Sequence, residues 1–457
     1  MKKRNNKRSS FSGKLGFVLS AAGASVGLGN IWRFPYLAAK YGGGMFLLVY
    51  IILALTFGYT MIVAETSIGR MTKKSPVGAF KFFGNSKFAS LGGWINAIIP
   101  ILIVPYYSVI GGWVIKYLAE YIIGGSKLLA GDDYFTNFIT GGFSAEICFI
   151  IFTFITLAII YAGVRNGIER VSKFMMPILI VLSIIITIYS VTRPGALAGV
   201  KYFLIPNFEN FSWMTVVAAM GQMFYSLSIA MGILITFGSY MKKDLSIEDS
   251  TKNVEIFDTA IAIMAGLMII PAVFAFSGGD PDALNAGPSL MFITIPKMFE
   301  SMGLSTVVGI LFFTLVLFAA LTSSIALTES AVSTFQDEFG WGRKKATFIL
   351  GGIMLVLGSL SALGYGPLAC VKIIGMQFLD FFDFLTNSVM MPIAAFATCL
   401  LVSRKIGLKR IEEEVLSGES NFRRKKIFNF MIKYLCPIFA AIILLSSIAN
   451  AFGWITI

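Results

Sequence analysis

Histidine is absent from the 457 residues. That removes the commonest metal ligand and the side chain that most often moves protons near neutral pH, and with them any histidine-based enzyme chemistry. Charge is scarce too: 13% of residues are Asp, Glu, Lys or Arg, against roughly 25% in an ordinary soluble domain. Hydrophobic side chains make up 56% and mean hydropathy is +0.80, so water is not the main solvent. Four cysteines, Cys148, Cys370, Cys399 and Cys436, lie in or beside apolar runs without metal-type spacing, which makes each a small packing residue. No small-residue cleavage site follows the first apolar run, which opens directly into Asn30, Trp32, Arg33 and Pro35, so no cleaved signal peptide is expected.

What the chain does have is a succession of about eleven apolar runs long enough to cross a bilayer, about 20 residues each. Their centres fall near Gly27, Leu55, Val104, Phe154, Leu182, Ile229, Ala265, Val316, Gly352, Pro392 and Ile442. The net charge of +13 is topological and does not point to nucleic acid, because the basic residues alternate from one connection to the next. Lys2, Lys3, Arg4, Lys7 and Arg8 precede the first run; Lys73, Lys74 and Lys81 follow the second; Arg165, Arg170 and Lys173 follow the fourth. Lys242 and Lys243 follow the sixth, Arg343 to Lys345 the eighth, and Arg404, Lys405 and Arg423 to Lys426 the tenth. The positive-inside rule then predicts a multi-pass protein of the inner membrane with its N-terminus in the cytoplasm and its C-terminus outside.

Asn207–Ser212 and Gly278–Pro288, the longest polar stretches on the outer face, are too short for a separate domain, so residues 1–457 read as one all-α membrane domain. Two runs are interrupted at their middles, the first by Gly23–Gly29 and the sixth by Ser226–Gly232. They stand five spans apart, an odd offset, so they cross in opposite directions, as an inverted repeat of spans one to five with six to ten requires. The repeats fall at about 11–192 and about 213–403, with an extra helix at about 428–457. Matching broken helices point to a binding site at the membrane midplane. The plainer alternative is that the glycines only permit close helix packing. Asn30 and Arg33, about one turn beyond the first break, weigh against it there.

Ionisable groups inside a span line a pathway or pair with one another. Glu65, Asp258, Glu329 and Asp383 are the informative cases. Glu65 is expected to bond backbone freed where a broken helix unwinds. Asp258, near the start of the seventh run, either ligates a cation or snorkels to the surface. The hydroxyls of Thr322, Ser323 and Ser324 either bond their own helix or, facing a break, offer hard oxygen ligands to sodium. Tyr106 and Tyr107 either pack or turn a phenol toward the unwound region. With neither a nucleophile–base pair nor a metal cluster in the sequence, an intramembrane enzyme is the weakest class.

Gly23–Pro35, GASVGLGNIWRFP, followed by Gly42–Gly44, resembles the signature of the neurotransmitter:sodium symporter family. Glu65–Arg70, Tyr106–Trp113, Gly221–Gly232, Leu321–Ala326 and Leu379–Asn387 extend the resemblance over the whole chain, and the span count resembles the eleven-helix bacterial branch that carries tyrosine and other hydrophobic amino acids.

The resemblance implies that a substrate carboxylate meets the N–H groups of Leu28 and Gly29 and the hydroxyl of Tyr107, while carbonyls of Ser25, Tyr225 and Ser226 hold its ammonium. Ile103, Ser228, Met231 and Leu327 line the side-chain pocket, and Ser323 also borders the substrate. Two sodium ions are implied. The first lies among Ser25, Asn30, Ser226, Asp258 and the substrate carboxylate; the second lies at Gly23, Val26 and Ala319 with the hydroxyls of Thr322 and Ser323. Arg33 opposite Asp383, with Tyr225 as a lid, implies an outer gate; Arg8 opposite Asp337, with Phe11 and Tyr240, implies an inner one.

Departures from the family pattern sharpen the expectation. No acidic residue lies in Gly23–Gly29 to hold an amine, so the carrier needs the substrate's own carboxylate. Asp258 stands where many members have asparagine beside a chloride site, whose other partners are Tyr50, Gln222 and Ser226; its fixed charge replaces the anion. Ala230 takes the place of a more usual glycine in the sixth-run break, and Leu37 that of a polar residue beside the gate arginine. Met231 favours aromatic substrates. The sequence thus predicts a chloride-independent, sodium-coupled importer of a hydrophobic, aromatic L-amino acid, in contact only with substrate, sodium and lipid. An amino acid sensor or a channel on the same fold is the alternative.

Overall fold

The computed structural model describes residues 9–84, 86–278, 289–451 and 454. Among these, extended pairing is confined to two isolated bridges, Gly43 with Pro206 and Ile373 with Met376; the rest is helix and connection. Backbone in hydrocarbon must satisfy its own hydrogen bonds, which a helix does within one segment.

Nine continuous helices among the described residues are long and apolar enough to span a membrane: Gly44–Thr72, Ala89–Ile122, Phe143–Tyr161, Val164–Val191, Ile247–Ser277, Ser305–Phe339, Arg343–Leu363, Phe378–Ile406 and Lys425–Asn450. Lys14–Ser25 and Gly29–Lys40 form a tenth, bent by 54° at its break. The remaining predicted run is in two pieces, Trp213–Ser226 and Ile233–Tyr240, each too short to cross alone. Every predicted centre falls inside its span, with Gly27 and Ile229 inside the two breaks.

The third and eighth spans form the middle of the molecule, with 78% and 72% of their most apolar stretches buried; the fourth, fifth and eleventh, at 33%, 33% and 28%, form the lipid-facing shell. Buried charges brace one end. Arg70, fully buried at the close of the second span, holds Glu414 at 2.6 Å, the Leu245 carbonyl at 2.6 Å and the Ser417 hydroxyl at 2.9 Å. A guanidinium out of water is tolerated because its donors meet acceptors in fixed fork geometry.

Candidate functional site

The first break begins at Val26, whose extended backbone (φ −74°, ψ 97°) ends the helix at Ser25. Beyond it, the Gly27 N–H donates to Asn30 Oδ1 at 3.1 Å and the Leu28 N–H to the Tyr107 hydroxyl at 3.2 Å. The second break turns through left-handed backbone at Ser228 (φ 52°), Ala230 (φ 60°) and Gly232 (φ 69°). Two of these carry a Cβ, at a cost of about 1–2 kcal/mol each. Their surroundings offset it. The Ser228 hydroxyl donates to the Ala24 carbonyl at 2.9 Å, tying one break to the other, and the Ala230 N–H donates to Glu65 Oε1 at 2.8 Å. Unwinding therefore proceeds at Ala230 without the usual glycine, and Glu65 bonds freed backbone as the sequence suggests.

Between the breaks lies a narrow cavity of about 30 Å³. Ser25, Leu28, Gly29, Ile103, Tyr107, Tyr225, Ser228, Met231, Ser323 and Leu327 line it, which brings together every residue expected at the substrate except Ser226. Ala24, Gly27 and Asn30 complete the wall. Close approach explains two of the glycines. A Cβ on Gly27 would come within 2.7 Å of Ser323 Oγ, and one on Gly29 within 2.2 Å of the Tyr225 ring.

Ser226 turns the other way, into a buried cluster. Asp258 Oδ1 accepts from Asn30 Nδ2 at 2.8 Å and from the Ser226 hydroxyl at 2.9 Å, and its Oδ2 accepts from the Tyr50 hydroxyl at 3.0 Å. Asn30, Tyr50 and Asp258 are completely buried, and no Lys or Arg ion-pairs with Asp258 among the described residues. A buried carboxylate bonded only by neutral donors keeps its formal charge uncompensated, and hard oxygen atoms of this kind suit a sodium ion. Gln222 departs from the expected set, since its amide nitrogen donates to the Gly29 carbonyl at 3.0 Å.

A second group of oxygens joins the first and eighth spans. Ser323 Oγ lies 3.3 Å from both the Gly23 and Val26 carbonyl oxygens and 3.1 Å from that of Ala24. Thr322 Oγ1 bonds its own helix, at 2.9 Å to the Phe318 carbonyl and 3.1 Å to that of Ala319. Gly23, Val26, Ala319, Thr322 and Ser323, expected at the second sodium, thus adjoin one another.

The family model described as Sodium:neurotransmitter symporter family matches residues 8–124 and 138–453. The chain belongs to that family. It is similar to an uncharacterised sodium-dependent transporter of Bacillus subtilis, YhdH, at 33% identity over 96% of this chain and 97% of the relative. The sodium- and chloride-dependent glycine transporter 2 of Xenopus laevis is 27% identical over 73% of this chain and 52% of its own length. Among solved structures, MhsT in complex with L-phenylalanine superposes with a TM-score of 0.86 at 36% identity, covering 96% of this chain and all of that one. The protein is accordingly a membrane-embedded, sodium-dependent symporter.

In this symporter the expected gate residues are distributed unevenly. Arg33, Asp383 and Tyr225 line one cavity of about 430 Å³, distinct from the central one, whose wall Tyr225 shares. Arg33 and Asp383 do not approach to ion-pair distance; the guanidinium lies 5.4 Å from the centre of the Tyr225 ring. Asp383 is held instead by the Tyr106 hydroxyl at 3.2 Å and by Asn387 Nδ2 at 2.5 Å, partners that sequence reasoning did not assign although both residues lie in the matched motifs.

At the other end, Arg8 lies outside the described residues. Asp337 accepts the Ser75 N–H at 2.6 Å. Phe11 is fully buried, edge-on to Phe17, Phe237 and Tyr240 at 5.8, 5.6 and 6.1 Å, with its N–H on the Tyr240 carbonyl at 3.2 Å. The Tyr240 hydroxyl donates to Glu329 at 2.7 Å, and Arg343 forks onto both oxygens of Glu329 at 3.0 and 2.5 Å. Arg343 was legible only as a topological charge; the intramembrane carboxylate at Glu329 was the signal that it has a partner.

Proposed function

We propose that this symporter imports a hydrophobic, aromatic L-amino acid together with two sodium ions by alternating access, without chloride. The observation that carries the reading is the composition of the central cavity. The Leu28 N–H donates to the Tyr107 hydroxyl at one point of its wall, which gathers there the polar groups that a carboxylate requires, while Ile103, Met231 and Leu327 supply apolar lining. Similarity to a structure holding L-phenylalanine supports an aromatic side chain.

In this reading the first sodium sits among Ser25, Asn30, Ser226, Asp258 and the substrate carboxylate, so ion and substrate share one electrostatic site and each raises the affinity for the other. The second joins Gly23 and Val26 to Ala319, Thr322 and Ser323, and its occupancy biases which face is open. Arg33, Asp383 and Tyr225 close the outer side; Arg8, Asp337, Phe11 and Tyr240 close the inner. The protein lies in the inner membrane with its N-terminus in the cytoplasm and its C-terminus outside, built on repeats at about 11–192 and about 213–403.

Radiolabelled uptake into proteoliposomes with a panel of amino acids tests this, with and without an inward sodium gradient. Saturable, sodium-driven uptake of Phe, Tyr or Trp is expected. Binding without accumulation would make the chain a sensor, and uptake that does not saturate a channel.

A further inference from the structure

A groove of about 580 Å³ runs along the outside of the molecule between the connecting helix Pro76–Phe83, the start of the third span and the last turns of the tenth. Phe80, Ala89, Ala397 and Leu401 form its floor and are buried; Phe396, 39% exposed, marks its open side. Gly92 seals the base, because a Cβ there would lie 2.9 Å from both the Ala397 methyl and the Phe80 ring. At one end of this apolar channel stand Arg404 and Lys405, both exposed. Among the described residues neither has an ion pair or hydrogen bond. Ser86 sits beside them, capping the third-span helix by accepting the Ala89 N–H at 3.2 Å.

A second outward groove, of about 360 Å³, makes a useful contrast. Its arginine, Arg424, is already held by Glu255 at 3.2 Å and by the Leu55 carbonyl at 3.4 Å, which leaves only Lys252 to act on a visitor. The first groove keeps two adjacent cations uncommitted.

We propose that the groove of Phe80 and Phe396 binds an anionic phospholipid, with one acyl chain along the floor and the phosphate between Arg404 and Lys405. An apolar floor alone accepts any tail the bilayer offers. Two unpaired cations at the level where a span ends add preference for a negative headgroup, and basic pockets between membrane helices are the recurrent form of such sites. The attraction amounts to about five-fold in affinity for each cation and about thirty-fold for the pair.

The test uses the purified full chain in detergent, titrated with dioleoyl phosphatidylglycerol, dioleoyl phosphatidylcholine or glycerol 3-phosphate. Retained lipid is counted by native mass spectrometry, and thermal unfolding is followed in parallel. Phosphatidylglycerol is expected to bind more tightly than phosphatidylcholine, and Arg404→Gln with Lys405→Gln to remove that preference, about thirty-fold, while the lipid-free melting temperature stays put. Leu400→Trp, which narrows the groove and keeps both cations, is expected to weaken phosphatidylglycerol as well. Lys344→Gln with Lys345→Gln, a basic pair that lines neither groove, is expected to change nothing. Equal binding of the two phospholipids by the unaltered chain overturns the proposal. So does an equal loss from the two double variants, full retention in Leu400→Trp, or displacement of the phospholipid by glycerol 3-phosphate.

Discussion

The Glu65 carboxylate, in the second span, accepts the N–H of Ala230 at 2.8 Å inside the gap that splits the sixth. Neither residue is exposed, so the bond is the sole anchor that a side chain gives this N–H among the described residues. Glu65→Ala removes the acceptor and leaves a buried donor unpaired, at a cost of about 1–3 kcal/mol. Thermal unfolding in detergent should show a clear drop for Glu65→Ala and a smaller one for Glu65→Gln, which retains a carbonyl. Equal losses would mean that the bond is incidental.

Tyr107→Phe should weaken amino acid binding by about 10- to 150-fold, since one buried hydrogen bond to a charged group contributes about 1.5–3 kcal/mol. Scintillation proximity binding measures this directly. Affinity equal to that of the unaltered chain would reduce Tyr107 to a packing residue.

On the proposed reading, Asp258 takes the place of the anion. A cation and a zwitterion brought into a dry site need a compensating negative charge, and Asp258 supplies it within the ring of Asn30, Tyr50 and Ser226. Uptake by the unaltered protein should be the same in gluconate and in chloride. Asp258→Asn should either lose uptake or acquire a chloride requirement; a fully active variant indifferent to the anion is the contrary result.

Replacing Thr322 and Ser323 together by Ala should raise the sodium concentration needed for half-maximal substrate binding, because the proposed second sodium would lose two hydroxyl ligands without substitutes. An unchanged sodium titration would return both hydroxyls to the helix-bonding role that Thr322 already shows toward Phe318 and Ala319.

Arg343→Met strands the completely buried Glu329, and breaking one half of such a pair costs about 3–5 kcal/mol. The double variant Glu329→Leu with Arg343→Met should recover much of the lost melting temperature. Failure of the double variant to recover any would point to packing by the Arg343 stem.

The spans were legible because the bilayer forces each to be an apolar run, and nine of the eleven expected centres lie in a helix, the other two, Gly27 and Ile229, in the breaks. The breaks were legible through their glycines, and the wall residues from Ser25 to Leu327 through the motif. What sequence hid was partnership across space. Arg343 meets Glu329, and Tyr106 meets Asp383, through tertiary packing that no spacing encodes. Gln222 is bound to the Gly29 carbonyl for the same reason. The left-handed turns at Ser228 and Ala230 run against local propensity and exist because Ala24 and Glu65 hold them.

The closeness of Gly29 to the Tyr225 ring gives the binding chamber a fixed end and an adjustable one. Any side chain at position 29 drives into an aromatic ring that itself walls the chamber, and any at position 27 into Ser323. The end proposed to meet the groups common to all amino acids is therefore frozen in backbone and admits almost no mutational drift. Ile103, Met231 and Leu327 reach the chamber through side chains alone. With the proposed sites, a lineage of such carriers would trade one nutrient for another at those three positions while its ion machinery stays untouched.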